Sequence, residues 1–206
     1  MFRSPISASN LSAAGFSVPL PVSRGRGYAP EPVLEYSTRN GNDAFGLGWT
    51  VSLAAVGRRV VKGVPRYNNE DEFTGPDNEV IIPVLDTAGN PVISRKNSLL
   101  GDTLNTIYRV TDFRSRLETT FDRLQYWQAE REVPGSPSEF WVMFAADGQV
   151  HLFGYEDSAR VYKPDNRQHI ARWLINASVS PQGEQIYYRY CNENGDNCPD
   201  DEIRSH

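Results

Sequence analysis

Sixteen glycines and fourteen prolines punctuate this chain from one end to the other. Glycine weakens helices and strands alike, and proline cannot donate to a sheet ladder. Between these breaks lie short runs rich in valine, isoleucine, threonine and aromatic residues, which pack well on a pleated surface. The combination specifies many short strands joined by turns. Ten tyrosines, nine phenylalanines and four tryptophans in 206 residues supply large packing groups. With 39% hydrophobic and 23% charged residues the chain has material for a sizeable core. The expected fold is all-β: many short antiparallel strands with long loops, sandwich-like or a partial shell, in one domain or two small ones.

Charge and hydropathy exclude whole classes of partner. The net charge is −5, and the densest basic spots, Arg24/Arg26 and Arg58/Arg59/Lys62, are short. Nothing here resembles the basic face of a nucleic-acid binder. No run approaches the roughly 20 apolar residues of a membrane span, and the opening MFRSPISASNLSAAG lacks the apolar centre of a secretory signal.

Along the chain, residues 1–14 are small and polar and read as a flexible or edge segment. Pieces of strand broken by Pro19, Pro21, Pro30 and Pro32 follow, with Leu34 and Tyr36 forming the cleaner apolar face of VLEYS. TVSLAAVGRRVV is a strand candidate, residues 63–79 are turn-forming and acidic, and VIIPVL and NPVIS flank a turn over Asp86–Asn90. The segment Thr106–Trp127 is ambiguous. Phe113, Leu117, Phe121 and Leu124 have helical spacing, while its threonines, Ile107, Tyr108 and Val110 favour strands. SEFWVMFAADGQVHLFGYE reads as a hairpin turning at Asp147-Gly148, and FWVMF, apolar on both parities, as a strand covered on both faces. A last pair turns at Pro181–Glu184, with Ile186, Tyr188 and Tyr190 on one face.

The stretch GNDAFGLGWT, residues 41–50, invites a phosphate-loop reading and fails it. Gly41 and Gly46 have the right spacing, but Leu47 and Gly48 stand where a lysine and a hydroxyl are needed. The dinucleotide pattern fails at Val51, and the second glycine pair, Gly25 and Gly27, meets Pro30. His151 and His169 are the internal histidines; His151 reads as an ordinary strand residue, and no nucleophile elbow is present. The loop CNENGDNCPDDE is rich in oxygen donors without the order of a calcium loop. Cys191 and Cys198 are compatible with two free thiols or a local disulfide, and with His206 they make too few ligands for structural zinc. No cofactor is expected. The glycines at 41, 46 and 48 would permit positive φ and close backbone approach, with Trp49 pressed into the sheet.

Taken in order, the segments Gly15–Leu20 with Pro19, Gly25-Arg26-Gly27, Leu34–Ser37 with Tyr36, Asn40-Gly41-Asn42, Phe45–Trp49 with Gly46 and Gly48, Gly57-Arg58-Arg59, Asp71-Glu72-Phe73, Phe140-Trp141-Val142, Phe153-Gly154, Ala171–Ile175 with Trp173 and Ile186–Tyr190 resemble one family. It is the N-terminal domain of SpvB-type proteins, which also opens the B components of bacterial toxin complexes. The resemblance covers residues 15–190, leaves 191–206 as a polar and truncated tail, and tips Thr106–Trp127 toward strand.

What the resemblance implies is a structural module without catalytic residues of its own. It would contribute to a β-rich shell in a secreted toxin complex or virulence protein, made in the cytoplasm and exported non-classically as part of an assembly. Its partners would be a propeller, an Rhs/YD-repeat shell and a C component. An exposed sheet edge or apolar patch is expected where the rest would pack. The alternative is a ligand-binding, lectin-like β domain using aromatics such as Tyr187 or Trp127.

Overall fold

The computed structural model describes residues 15–22, 28–38, 41–43, 45–60, 63, 65–68, 70–117, 121–163 and 166–190. The chain divides between Leu53 and Ala54 into two compact units.

In the first unit, β1 (Gly15–Pro19), β2 (Val33–Ser37) and β5 (Trp49–Ser52) form an antiparallel sheet in the order β1-β2-β5, and β3 (Asn42–Asp43) pairs with β4 (Gly46–Leu47) in a small hairpin. Proline ends β1, an edge strand, and immediately precedes β2, the central one, where it marks the entry to the strand. Among the described residues β1 has one hydrogen-bonded neighbour, and all five of its residues are exposed.

The second unit carries β6 (Ala55–Arg58), β7 (Phe73–Thr74), β8 (Val80–Pro83), β9 (Ile93–Leu99), β10 (Asp102–Ser115), β11 (Arg123–Ala129), β12 (Glu139–Phe144), β13 (Val150–Phe153), β14 (Arg160–Lys163), β15 (Asn166–Val179) and β16 (Gln185–Tyr187). All their pairings are antiparallel. The all-β expectation holds, and the sheet goes further than a partial shell. It runs β6-β7-β8-β10-β11-β12-β13-β15 and returns to β6, an eight-stranded closed ring. Closure removes the open edges that would otherwise invite pairing with another chain. β9, β14 and β16 attach outside this path.

The ambiguous segment is a pair of strands. Phe113 and Leu124 face each other across β10 and β11. Leu117 and Phe121 lie outside both strands, 58% and 76% exposed. The helical spacing was therefore a coincidence of two strand positions and two turn positions, and the β-branched residues prevailed.

The strand Phe140–Val142 is covered on both faces, as its composition predicts, with Phe140, Trp141 and Val142 all fully buried. Trp141 faces Tyr126, Phe113, Phe73 and Trp173, with centroids 4.5, 5.0, 5.1 and 6.1 Å away. On the other parity, Phe140 and Val142 join Tyr108, Val110, Trp127, Leu152 and Ala177. Ring pairs at such distances add about 0.5–1.5 kcal/mol each beyond area burial. The indole nitrogens of Trp127, Trp141 and Trp173 are buried without a hydrogen-bond partner. That is the cost of packing so many rings together.

The Asp147-Gly148 turn forms as expected. Gly148 takes φ +86°, its N–H donates to the Ala145 carbonyl at 3.0 Å, and the Asp147 carboxylate accepts the Gln149 N–H at 3.0 Å. That backbone N–H is the main reason the Asp147 carboxyl sits below its usual pKa.

Buried phenols set the alkaline limit. Tyr108 donates to the Pro137 carbonyl at 2.9 Å and Tyr190 to the Ile175 carbonyl at 2.7 Å. Burial pushes both up to about 12 from an ordinary 10.0. Burial, with Glu139 beside it, pushes Tyr126 well above its ordinary value. The folded phenols keep protons that the unfolded ones release above pH 10.0, so their contribution is complete below pH 10.0 and lost as pH rises toward 12. Absorbance titration of the folded protein should show a lagging class of tyrosines near 12 that merges with the rest in denaturant. A single step for every tyrosine near pH 10.0, with the circular dichroism unchanged, would contradict the packing.

Candidate functional site

The glycine-rich turn of the first unit is a hydrogen-bonded knot. Gly48 N–H donates to the Gly41 carbonyl at 3.0 Å, and Ser37 N–H donates to the Gly48 carbonyl at 2.8 Å. Gly46 and Gly48 have φ of +92° and +82°. A Cβ on Gly48 would lie 2.6 Å from the Tyr36 ring and 3.1 Å from the Ser37 carbonyl oxygen. Gly41 shows neither feature, having no positive φ and nothing within 4 Å. Its part in the knot is its carbonyl, which any residue carries. Trp49 is half-buried and closes a triangle of rings with Phe16 and Tyr36 at centroid distances of 5.0 and 5.2 Å.

Gly48→Ala should therefore cost the first unit about 2–4 kcal/mol, and Trp49→Ala a similar amount. Gly46→Ala, strained in backbone but in open space, should cost about 1 kcal/mol, and Gly41→Ala less than about 0.5 kcal/mol. Hydrogen exchange in β2 and β5 reads this order; equal protection in all four variants would refute it.

The expected motif residues Gly15, Pro19, Tyr36, Gly41, Gly46, Gly48 and Trp49 all belong to the first unit, where Gly15 pairs with Ser37 and Pro19 with Val33. Trp173 belongs to the second, fully buried in its interior. Gly25, Gly27, Asn40, Cys191 and Cys198 lie outside the described residues, as do 1–14 and 191–206.

The densest polar centre of the barrel unit was not singled out by the sequence. Arg58, at the end of β6, has a side chain only 5% exposed. Its guanidinium lies 5.0, 5.3 and 5.5 Å from the ring centroids of Phe73, Trp173 and Tyr67. Its Nε donates to the Ile170 carbonyl at 3.0 Å, and Nη1 donates to Asp71 Oδ2 at 2.9 Å and to the Asn68 carbonyl at 3.2 Å. Glu139 Oε1 stands 3.9 Å from Nη2, while its Oε2 accepts the Tyr126 hydroxyl. Asp71 also accepts the N–H groups of Arg66 and Tyr67 at 2.9 and 2.7 Å. Those bonds hold Tyr67 at φ +58°, unusual for a bulky residue, with its ring stacked on His169 at 4.1 Å. Chemically this is a fastener: one cation pins the acidic turn-forming segment onto the barrel.

Other candidates resolve plainly. His151 Nδ1 is 2.8 Å from Ser178 Oγ, but Ser178 is 2% exposed, so no substrate reaches it. Burial lowers the His151 pKa, with Asp147 and Asp122 opposing the shift. Trp127 is no surface aromatic. It is 1% exposed, packed against Tyr108 and Phe140, with Lys96 Nζ 5.4 Å above its ring. The lectin-like reading loses that residue because β11, like β12, is covered on both faces; Tyr187 is 65% exposed. No cluster of three metal-ligating side chains occurs among the described residues, and none of their helices is long and apolar enough to cross a membrane. The first unit does present an apolar surface, with Phe16, Val18, Phe45 and Leu47 between 43% and 75% exposed.

The family described as "SpvB: Salmonella virulence plasmid 65kDa B protein" matches residues 9–206. The chain belongs to the SpvB family. It is 42% identical over 187 residues to mono(ADP-ribosyl)transferase SpvB of Salmonella typhimurium, strain 14028s, and to its namesake in Salmonella dublin. The match covers 89% of this chain and 30% of each relative, so the chain spans under a third of their length. Among solved structures, the N-terminal domain of effector protein SpvB from Salmonella typhimurium LT2 superposes with a TM-score of 0.76 at 41% identity, over 90% of this chain and 56% of that one. A chain of the TcdB2-TccC3 crystal structure gives 0.82 at 42%, over 95% of this chain and 9% of that one. The Photorhabdus luminescens Tc holotoxin pore gives 0.83 at 41%, over 98% and 9%.

Proposed function

We propose that this SpvB-family chain is a non-catalytic structural and interaction module of a secreted bacterial toxin complex or virulence protein, contributing to a β-rich shell. The observation that carries the reading is the match to TcdB2-TccC3, which takes in 95% of this chain but 9% of a far longer one. A domain of this fold that is a small part of a far longer chain supports a role as one piece of a larger shell. The closed, ring-filled barrel and the Arg58 fastener suit a load-bearing role, and the exposed β1 edge and apolar side chains of the first unit suit a contact with further chain. In this reading the transferase named in the Salmonella relatives resides in the part that this chain does not span, and the partners are the propeller, the Rhs/YD-repeat shell and the C component. In this reading the chain is made in the cytoplasm and exported as part of the assembly.

The test is complementation in two pieces. A TcdB2-type B component lacking its matching N-terminal segment is co-expressed with this chain. Co-elution as one protease-resistant complex is expected. Separate elution, or turnover of NAD by the chain alone, overturns the proposal.

A further inference from the structure

Where β10 changes neighbours, the barrel unit opens a small pocket. β10 pairs with β9 through Tyr108–Thr111 and with β8 through Phe113–Ser115, on the same flank. Between β8 and β9 the chain leaves β10 after Val84, whose N–H donates to the Asp112 carbonyl at 2.8 Å, and returns at Val92, whose carbonyl accepts the Asp112 N–H at 3.1 Å; Val92 N–H closes the excursion on the Val84 carbonyl at 2.8 Å. Pro83 and Pro91, next to this junction, cannot donate to a ladder, and β8 and β9 meet β10 as two separate runs. The result is a cavity of about 90 Å³ walled by Phe73, Phe113 and Tyr126, flanked by both prolines, with Arg109 and Thr111 also lining it.

The polar lining is unspent. Arg109 is exposed and has no carboxylate or hydrogen-bond partner among the described residues; the Thr111 hydroxyl likewise makes no hydrogen bond among them. Arg109 is also set directly opposite Arg95 across β9 and β10. Like charges in that position repel. Glu130 is bonded to Arg95, through Nε at 2.6 Å. The Arg109 charge is thus left without an ion-pair partner among the described residues, on the lining of an apolar pocket.

We propose that this pocket is a docking site for a partner polypeptide segment that inserts one apolar side chain and pairs an adjacent carboxylate with Arg109. The volume admits a single branched aliphatic side chain, about three waters' worth of space. The rings supply the apolar contact. The arginine supplies a charge-assisted bond that fixes direction, and Thr111 offers one more donor. This stands apart from the structural-module reading, because Arg109 and Thr111, which give the pocket its polarity, make no side-chain bond within the unit among the described residues.

The test uses the whole chain and a fluorescein-labelled peptide, Gly-Ser-Asp-Leu-Asp-Ser-Gly-Ser, read by polarisation. Saturable binding is expected, lost when both aspartates are replaced by lysine or the leucine by serine. Arg109→Gln should weaken it about tenfold and Thr111→Val about threefold, both with an unchanged melting temperature. Chemical-shift changes on adding peptide should centre on Thr111 and Gln128. Binding that ignores peptide charge, or an Arg109→Gln variant that binds like the parent, overturns the proposal. So does phenylacetate displacing the peptide at equal concentration, which would make the site one for small acids. Self-association abolished by Arg109→Gln would assign the pocket to a second copy and equally sink it.

Discussion

Arg58→Ala is expected to lower the unfolding free energy of the barrel unit by about 3–5 kcal/mol. The loss is large because removal of the cation strands what it neutralises. Asp71, with a side chain only 8% exposed, and Glu139, 17% exposed, would keep their charges with no counter-ion. The carbonyls of Ile170 and Asn68 would lose their donor, and three rings would face a void. Arg58→Lys should recover less than half, since a point-like ammonium cannot reach two carbonyls and a carboxylate in one plane while lying flat on aromatic faces. Arg58→Met combined with Asp71→Asn should be more stable than Arg58→Met alone, because the uncompensated charge is then removed. Urea unfolding followed by tryptophan fluorescence checks the series. A cost below about 1 kcal/mol for Arg58→Ala would mean that the centre is a solvated surface pair of the ordinary weak kind.

Gly154→Ala should cost about 2–5 kcal/mol, through two separable causes. The residue has φ +67°, where an L side chain is strained. A Cβ there would also lie 2.3 Å from Trp173 Cδ1 and 2.9 Å from its Cβ. Trp173 cannot retreat: it is fully buried between Arg58, Phe73, Tyr126 and Trp141. Gly183 provides the control, with φ +85° and nothing within 4 Å of where a methyl group would sit. Gly183→Ala should show the backbone part alone, about 1 kcal/mol. Thermal melts of the two variants that coincide would show that the Trp173 contact yields easily.

Local chemistry was legible in the sequence and long-range closure was not. Asp147-Gly148 announces its turn because the pair carries both the positive-φ residue and the carboxylate that caps it. Phe140–Val142 announces a doubly covered strand because both parities are apolar. Ring closure depends instead on pairing Gly57 with Arg172 in register across more than a hundred residues, which no local pattern encodes. The same holds for the fastener. Arg58 sits in a short basic run, and its burial becomes visible only when Asp71, Glu139 and three rings converge on it from separate strands and a loop. Gly41 and Gly48 look alike in the sequence and differ in the fold, because only the second lies under a ring.

The seam between β6 and β15 joins the first strand of the barrel unit to nearly its last. Such distant pairing is slow, because the chain entropy of bringing the two flanks together is spent before either ladder rewards it. During synthesis the curved sheet would remain agape until Trp173 emerges from the ribosome, with Phe73, Tyr126 and Trp141 waiting in the open. Folding of this wall is thereby tied to late translation, and chaperone demand should peak in that interval.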